Sequence, residues 1–207
     1  MKRPVAIIGY SGHAHTGIDL LTASGYTVTA YCDNQPKEHN PFQLEYLGPE
    51  MEPSVLEKLK AYDYFIGVGN NLLRRKIYES VFPILGEPIN AIHPSAVISP
   101  SVKLTCGHFI SANVSVNALT ELGKTAVCNT GCVIEHGCII GDFTFIAPGA
   151  VLNGDVIVGE NTFVGANSVV KQGVKIGKNV IIGAGSVIIR DVPDGVTVVG
   201  NPGKVIK

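Results

Sequence analysis

The sequence contains no tryptophan, only two methionines, and few charged residues of either sign. Lysine and arginine number 16, aspartate and glutamate 17, so the net charge is −1. This balance argues against the strongly basic surface that binds nucleic acids or acidic membranes. Because 45% of the residues are hydrophobic, the chain can bury a sizeable core, and disorder is not expected.

Long apolar runs are also missing. The run near the start, Val5–Ile8, is too short for a secretion signal or a membrane span, so we expect a cytoplasmic protein. Five cysteines are an odd number, which favours reduced thiols over a disulfide framework. The length of 207 residues allows one large or two small domains.

From Ile92 onward the sequence places an aliphatic residue at every sixth position, interrupted only by Cys128. The aliphatic positions are Ile92, Ile98, Leu104, Ile110, Val116, Leu122, Ile134, Ile140, Ile146, Leu152, Val158, Val164, Val170, Ile176, Ile182 and Ile188. A helix needs a period near 3.6 and a hairpin strand a period of 2, so a period of six fits neither. This period is typical of a hexapeptide parallel β-helix.

A longer period of eighteen is nested in the first, because glycines recur at Gly123, Gly141, Gly159 and Gly177. Eighteen residues are three hexapeptides, so each coil is predicted to have three sides. The positions just after each aliphatic residue are then predicted to be the corners, where a positive φ favours glycine and asparagine.

The first ninety residues alternate strand and helix signals, which predicts a small parallel α/β sheet. The predicted strands are Val5–Gly9, Thr27–Cys32 and Tyr64–Val68, and the predicted helices are one around Ile18 and Leu21 that ends at Gly25, then Pro53–Lys60 and Leu72–Val81. We place the boundary near Asn90, giving domains at 1–90 and 91–207.

A turn rich in glycine, Gly9–His13, follows the first predicted strand and opens a helix, where backbone N–H groups favour an anion. Asp33 ends the second strand, where an acid can hold ribose hydroxyls. Gly69–Asn71 ends the third strand and would share that edge. Because the turn is not a complete dinucleotide fingerprint, a nucleotide-linked ligand and a glycine turn that merely packs both remain open.

His136 is the strongest catalytic candidate. It lies two residues after Ile134, at a predicted corner, so its ring should point outward. Histidine is the side chain best suited to a general base at neutral pH. Glu135 or Asn129 could orient the ring, and Gly154, one coil on, could offer a backbone N–H to an oxyanion. An exposed surface histidine is the open alternative.

For two other groups of residues a functional interpretation has less support. Pro148, Ala166 and Ala184 form a corner column of small residues that could admit a pantetheine arm or simply fit a tight corner. The spacing of Cys128, Cys132 and Cys138 is not that of a zinc knuckle and suits core filling better, so we predict no metal. His93, His108 and His136 fall at different places around the coil and would not converge on one metal ion. This weakens the hypothesis that the chain is a zinc-dependent carbonic anhydrase of β-helix type.

Several segments together resemble bacterial sugar acyltransferases of the sialic acid O-acetyltransferase type, including nucleotide-4-amino-sugar N-acetyltransferases. The segments are Gly9–His13, Tyr64–Asn71, Ile92–Pro100, Asn129–His136 and Gly200–Lys204. Many acyltransferases share the hexapeptide, but the N-terminal turn combined with Ile-Glu-His is more specific. The resemblance covers nearly the whole chain and implies a Rossmann-like domain before a left-handed β-helix, acetyl-CoA as co-substrate, no metal, and a homotrimer with active sites between subunits.

The resemblance also implies roles for individual residues. Ser11, Gly12 and His13 would lie near the phosphates of a sugar nucleotide, and Asp33 and Asn34 near its nucleoside. His136 would be the general base, with Glu135 or Asn129 beside it, and Gly154, Ala166 and Ala184 would contact acetyl-CoA. Gly69, from its place at the same sheet edge, is a further candidate for substrate binding. Two positions depart from the pattern. Some members carry a second histidine where this chain has Phe145, and some carry an acid where it has Gly137.

Acetyl transfer to the amino group of a nucleotide-linked amino sugar, in surface glycan biosynthesis, is the leading functional hypothesis. A neutral amine needs less help from a base than a hydroxyl does, and the missing second histidine therefore favours the amine. O-acetylation of a sialic-acid-like sugar and a non-catalytic scaffold that binds a sugar nucleotide are the alternatives. A dinucleotide enzyme is poorly supported, because the α/β domain is small for that fold.

Overall fold

The computed structural model describes residues 3–207, which form an α/β part followed by a β-helix. The elements of the first part are β1 (Val5–Ile8), α1 (Gly12–Ala23), β2 (Val28–Cys32), β3 (Glu45–Gly48), α2 (Pro53–Leu59), β4 (Asp63–Ile66) and α3 (Asn71–Leu85). Its four strands are parallel, in the order β3-β2-β1-β4, which confirms the predicted sheet. No helix within residues 3–207 is long and apolar enough to cross a bilayer.

Two element boundaries follow from local chemistry. Gly25 has φ of 75° and its N–H bonds to Thr22 just beyond α1, so it ends that helix as predicted. The side chain of Asn70 accepts a hydrogen bond from the N–H of Leu73 and caps α3, which therefore begins one residue before the predicted Leu72. β3 was not predicted, because it is a four-residue edge strand that alternates little in polarity.

Short strands stack on three faces in the second part. The first face consists of Ala91–Ile92, Phe109–Ile110, Val127–Cys128, Phe145–Ile146, Phe163–Val164, Ile181–Ile182 and Thr197–Val199, closed by the antiparallel Lys204–Val205. The second face consists of Val97–Ile98, Ser115–Val116, Val133–Ile134, Val151–Leu152, Val169–Val170 and Val187–Ile188. The third face consists of Lys103–Leu104, Glu121–Leu122, Ile139–Ile140, Ile157–Val158 and Lys175–Ile176.

Neighbouring strands within a face are parallel and mostly eighteen residues apart, as in the pairing of Val133 with Val151. This register confirms the three-sided coil. Cys128, Cys132 and Cys138 are fully buried among the aliphatic residues, which confirms that they fill the core. We propose that the two parts divide at Asn90, because Ile89 still bonds to Tyr64 of the sheet while the first face begins at Ala91.

The predicted corner positions were one to two residues too early. Positive φ angles occur three residues after most of the aliphatic positions, for example at Asn113, Gly137 and Asp155. The glycines that recur every eighteen residues have a different cause. A Cβ on Gly123 would lie 2.6 Å from the backbone nitrogen of Asp142 in the next coil, so glycine is required there by close approach of two coils.

The α/β part packs on the N-terminal strands of the first face. Phe65 and the residues of α1 share one apolar cluster with Phe109, Val127 and Phe145 of that face. Farther along, Phe163 remains 37% exposed and Ile181 50% exposed. The α/β part therefore covers only part of the first face and leaves an apolar strip beside it.

Arg74 on α3 crosses this junction and is 1% exposed. Its guanidinium donates to the carbonyl oxygens of Val68 and Gly69 and to the side chain of Asn71. On the β-helix side it donates to the carbonyl oxygens of Thr125, Phe143 and Thr144, at 2.9–3.1 Å. Burial lowers the pKa of Arg74 to about 9, so the cation persists at neutral pH and joins the two parts.

Candidate functional site

A cavity of about 380 Å³ opens at the carboxyl edge of the sheet. Of the residues predicted to bind a sugar nucleotide, Ser11, Asp33 and Asn34 line it. The strands β1 and β2 deliver them, because the carboxyl ends of parallel strands meet at one edge. The predicted cluster therefore exists for these three residues.

Asp33 organises this edge. One carboxylate oxygen accepts the N–H of Tyr10 at 3.0 Å and the other accepts the N–H of Asn34 at 2.8 Å. Lys37 forms an ion pair with the same carboxylate at 2.9 Å. The acid thus ties the turn after β1 to the turn after β2 and fixes the shape of the cavity.

His13 and Gly12 do not line this cavity. The ring of His13 stacks on Phe109 of the β-helix, with centroids 4.3 Å apart. Burial, helped by the charge of Arg74, lowers the pKa of His13 to about 4, so the ring is neutral at pH 7. Its Nε2 is buried without a hydrogen-bond partner in the described chain. In this structure His13 is a contact between the two parts.

Gly69 lines a second cavity, of about 360 Å³, at the junction of the α/β part and the β-helix. Its walls are Gly69, Asn70, Asn71, Leu72, Asn161, Phe163, Asn179, Val180 and Ile181. A Cβ on Gly69 would lie 3.4 Å from the ring of His13, so the backbone here packs closely against that ring. The predicted substrate residues therefore do not form one cluster: three line the first cavity, Gly69 lines the second, His13 packs at the junction, and Gly12 is exposed at the start of α1.

Sequence reasoning missed half of the first cavity. Glu50 and Met51 follow the unpredicted β3, and Leu73, Lys76 and Ser80 line the opposite wall. The spacing of the last three places them on one face of α3. That spacing was visible in the sequence, but nothing in it indicated that this face borders the edge of the sheet.

His136 is exposed at the corner that follows the second face. Its ring lies directly over Gly154, where a Cβ would come within 2.5 Å of Cε1 and 2.6 Å of Nε2. The Nδ1 atom lies 4.0 Å from a carboxylate oxygen of Asp155. His136 therefore points outward as predicted, on a glycine floor and beside an acid that the sequence reasoning overlooked.

Asp155 occupies the space left free by Gly137. A Cβ on Gly137 would collide with a carboxylate oxygen of Asp155, which reaches back from the next coil. Asp155 is also held by its own N–H, which bonds to the carbonyl oxygen of His136 at 2.8 Å. An acid thus stands beside the imidazole although the residue after it is glycine.

The two predicted orienting residues make other contacts. The side chain of Asn129 accepts from the N–H and hydroxyl of Thr130. The backbone oxygen of Glu135 accepts from Thr120. Within residues 3–207, no hydrogen bond links either side chain to His136, so a role of either in orienting the ring stays a prediction.

The predicted acetyl-CoA residues fall on two corners. Gly154 lies with His136 after the second face, while Ala166 and Ala184 lie one coil apart after the first face. Phe145 is on the first face as well, where it packs against Phe163 and is 9% exposed. Adjacent corners of a hexapeptide prism are roughly 15–20 Å apart. One chain alone therefore does not bring these residues together.

No group of three or more His, Cys, Asp or Glu side chains in the described range is placed to hold a metal ion. His108 illustrates why: it is fully buried, and burial lowers its pKa to about 4. Its Nε2 accepts the N–H of Thr105. This histidine is part of the core.

Known proteins match both halves of this architecture. Residues 4–81 match the family model of the PglD N-terminal domain, and residues 155–190 match the bacterial transferase hexapeptide of six repeats. The solved structure of PerB from Caulobacter crescentus, in complex with CoA and GDP-perosamine, is 38% identical over 99% of this chain and 97% of that chain, with a TM-score of 0.93. The chain belongs to the hexapeptide-repeat sugar acyltransferases.

Two curated relatives in this family match over shorter stretches. GDP-perosamine N-acetyltransferase of Escherichia coli is 36% identical over 92 residues, 44% of this chain and 41% of that enzyme. UDP-N-acetylbacillosamine N-acetyltransferase of Bacillus subtilis is 35% identical over 110 residues, 52% of this chain and 51% of that enzyme. The chain thus spans about half the length of the curated relatives it matches. Membership of the hexapeptide-repeat acyltransferases confirms the predicted fold, an α/β domain before a left-handed parallel β-helix.

Proposed function

We propose that this hexapeptide-repeat acyltransferase moves the acetyl group of acetyl-CoA to the amino group of a nucleotide-linked amino sugar, in surface glycan biosynthesis in the cytoplasm. The observation that carries the proposal is an exposed imidazole over Gly154 on a chain that also has a nucleotide-sized cavity at Asp33. The relatives named above, which act on or bind GDP-perosamine or a UDP-linked amino sugar, support the same chemistry.

In this reaction His136 accepts a proton from the sugar amine while the amine nitrogen attacks the thioester carbonyl carbon. The resulting oxyanion needs a donor, and the N–H of Gly154 makes no hydrogen bond within the described chain, so it is free for that role. The carbon–sulfur bond then breaks, the amide forms, and the CoA thiolate takes up the proton held by His136. Asp155 stabilises the imidazolium that forms between these steps.

The first test is the release of free thiol from acetyl-CoA with GDP-linked and UDP-linked 4-amino sugars. We expect a saturable signal with a nucleotide amino sugar and none with the sugar that carries a hydroxyl at the same carbon. The same amino sugar without its nucleotide should show a KM at least about tenfold higher, because it lacks the contacts that the nucleotide makes at Asp33. Thiol release with the hydroxyl sugar alone would show an O-acetyltransferase, and nucleotide binding without any thiol release would show a silent scaffold.

We further propose a trimer, supported by the separation of the two corners. The second face lies between the corner of His136 and the corner of Ala166. If the His136 corner of each subunit meets the Ala166 corner of the next, three subunits form a closed ring, and the second face of each subunit points toward the threefold axis. The outward residues of the second face carry no charge: they are Val97, Ser115, Val133, Val151, Val169 and Val187. The third face instead presents Lys103, Glu121 and Lys175.

Light scattering of the full chain should therefore give three times the mass of 21.8 kDa. Changing both Val133 and Val151 to lysine should yield single chains, because charges cannot be buried at the axis without partners. These chains should still bind nucleotide but release no thiol. The matched control, lysine at Ile139 and Ile157 on the third face, should keep the trimer. A fully active single chain would contradict an active site shared between subunits.

A further inference from the structure

The carboxyl edge of the sheet orders the parts of a nucleotide. The turn after β1 holds Ser11, the turn after β2 holds Asp33, and the turn after β3 holds Glu50, in the spatial order β1-β2-β3. In sheets of this kind phosphates bind after the first strand and ribose at the acid after the second. A base attached to that ribose then continues outward to the loop after β3.

Glu50 is the acid at that outer position. Cys32 and Gly48 are register partners on β2 and β3; Asp33 directly follows the first, and Glu50 follows the second after one intervening proline. Burial raises the pKa of Cys32 to about 12, and the negative charges of Glu50 and Asp33 add to this rise, which agrees with both acids lying close to that strand end. Asp33 is engaged by two N–H groups and Lys37, whereas the half-buried carboxylate of Glu50 has no hydrogen bond or ion pair in the described chain.

Two apolar side chains beside Glu50 suit a flat ring. Met51 is 47% exposed and Leu73 is 48% exposed, and both line the same cavity. When an aromatic ring covers large hydrophobic side chains that are exposed at a cavity wall, apolar surface is removed from water and binding is stabilised. Lys76, one turn along α3 from Leu73, adds a cation with no ion pair within residues 3–207, which can meet ligand acceptors such as a base carbonyl or phosphate.

Resting on the proposed function, we infer that the nucleotide is a guanosine diphosphate and that Glu50 selects the base. Guanine alone among the common bases carries two adjacent donors, N1–H and the 2-amino group, which match the two oxygens of a carboxylate. Uracil and thymine place one N–H between two carbonyl acceptors. Adenine and cytosine place a ring nitrogen acceptor beside their amino group. Each of these bases would therefore bring an acceptor lone pair close to a carboxylate oxygen of Glu50, which is repulsive.

The test is calorimetric titration of the full wild-type chain with GDP, IDP, UDP and ADP. GDP should bind about 10–100-fold more tightly than UDP or ADP, the discrimination typical of a bidentate base contact. IDP lacks the 2-amino group and should bind several-fold more weakly than GDP. In Glu50→Gln the affinity for GDP should fall by about 10–100-fold, while that for UDP stays within about threefold, because the amide opposes one donor of guanine.

Glu52→Gln is the matched control, since Glu52 is exposed, lies two residues away and does not line the cavity. It should leave the affinity for GDP and the preference for GDP over UDP unchanged. Equal or tighter binding of UDP by the wild type, or an equal loss of both nucleotides in Glu50→Gln, overturns the inference. Thiol release with a UDP-linked amino sugar but not with a GDP-linked one would overturn the base assignment and leave the proposed acetyl transfer intact. Binding of no nucleotide at all would overturn both.

Discussion

Replacing His136 with alanine is expected to lower kcat for thiol release by at least about 100-fold, the usual contribution of a general base. The affinities for acetyl-CoA and for nucleotide should change little, because the side chain is exposed and bonds to no other part of the described chain except through the contact with Asp155. The measurement is steady-state kinetics, combined with titration of each ligand separately.

His39→Ala serves as the control for this prediction. His39 is also exposed, but it lies in the loop before β3 and lines neither cavity. Its removal should leave kcat within about twofold. If the two alanine variants are equally active, His136 is an ordinary surface histidine and another group must take the proton from the amine.

The role of Asp155 can be separated from that of His136 by a double-mutant cycle. Asp155→Asn should reduce kcat less than His136→Ala, by about tenfold, because it removes only the stabilisation of the imidazolium. Combining both changes should be no worse than His136→Ala alone. Additive losses would show that Asp155 acts independently of the ring, for instance on the backbone of the corner.

The pattern of single residues predicted the β-helix because that fold repeats one local rule. Aliphatic residues at every sixth position can be buried in only one way once the coil has three sides, so the register from Ile92 to Ile188 followed from spacing alone. The corner angles did not follow, since glycine has two uses. Gly137 adopts a positive φ, whereas Gly123 only leaves space for the next coil. The sequence shows glycine at both positions and does not distinguish these two roles.

The candidate site was less predictable because it is assembled by contacts distant in sequence. Asp33 was found from its position after a strand, a local signal. Glu50 was not, because the edge strand before it is short, and Asp155 was not, because its carboxylate reaches back eighteen residues to Gly137. His13 was assigned to phosphates from a motif, but in this structure its ring is buried against Phe109, a contact that only tertiary packing could reveal.

Arg74→Met is expected to cause the largest loss of stability of any single change considered. The guanidinium makes six hydrogen bonds in a buried junction, and five of the acceptors are backbone carbonyl oxygens that stay in place when the cation is removed. Each buried acceptor left without a donor costs about 1–3 kcal/mol, although some relax toward water. A total of about 3–5 kcal/mol corresponds to a Tm lower by roughly 6–20 °C for a chain of this size.

Arg75→Met is the control on the adjacent residue. Arg75 is partly exposed and pairs with Glu79 and Glu160 at the surface, so its loss should lower the Tm by less than about 4 °C. Arg74→Lys keeps the charge but cannot reach both parts of the junction with one ammonium group, and its Tm should lie between those of wild type and Arg74→Met. Scanning calorimetry at one fixed protein concentration makes the comparison, because assembly affects the Tm. Equal Tm values for the two methionine variants would mean that apolar packing around Phe109, and not the buried cation, holds the two parts together.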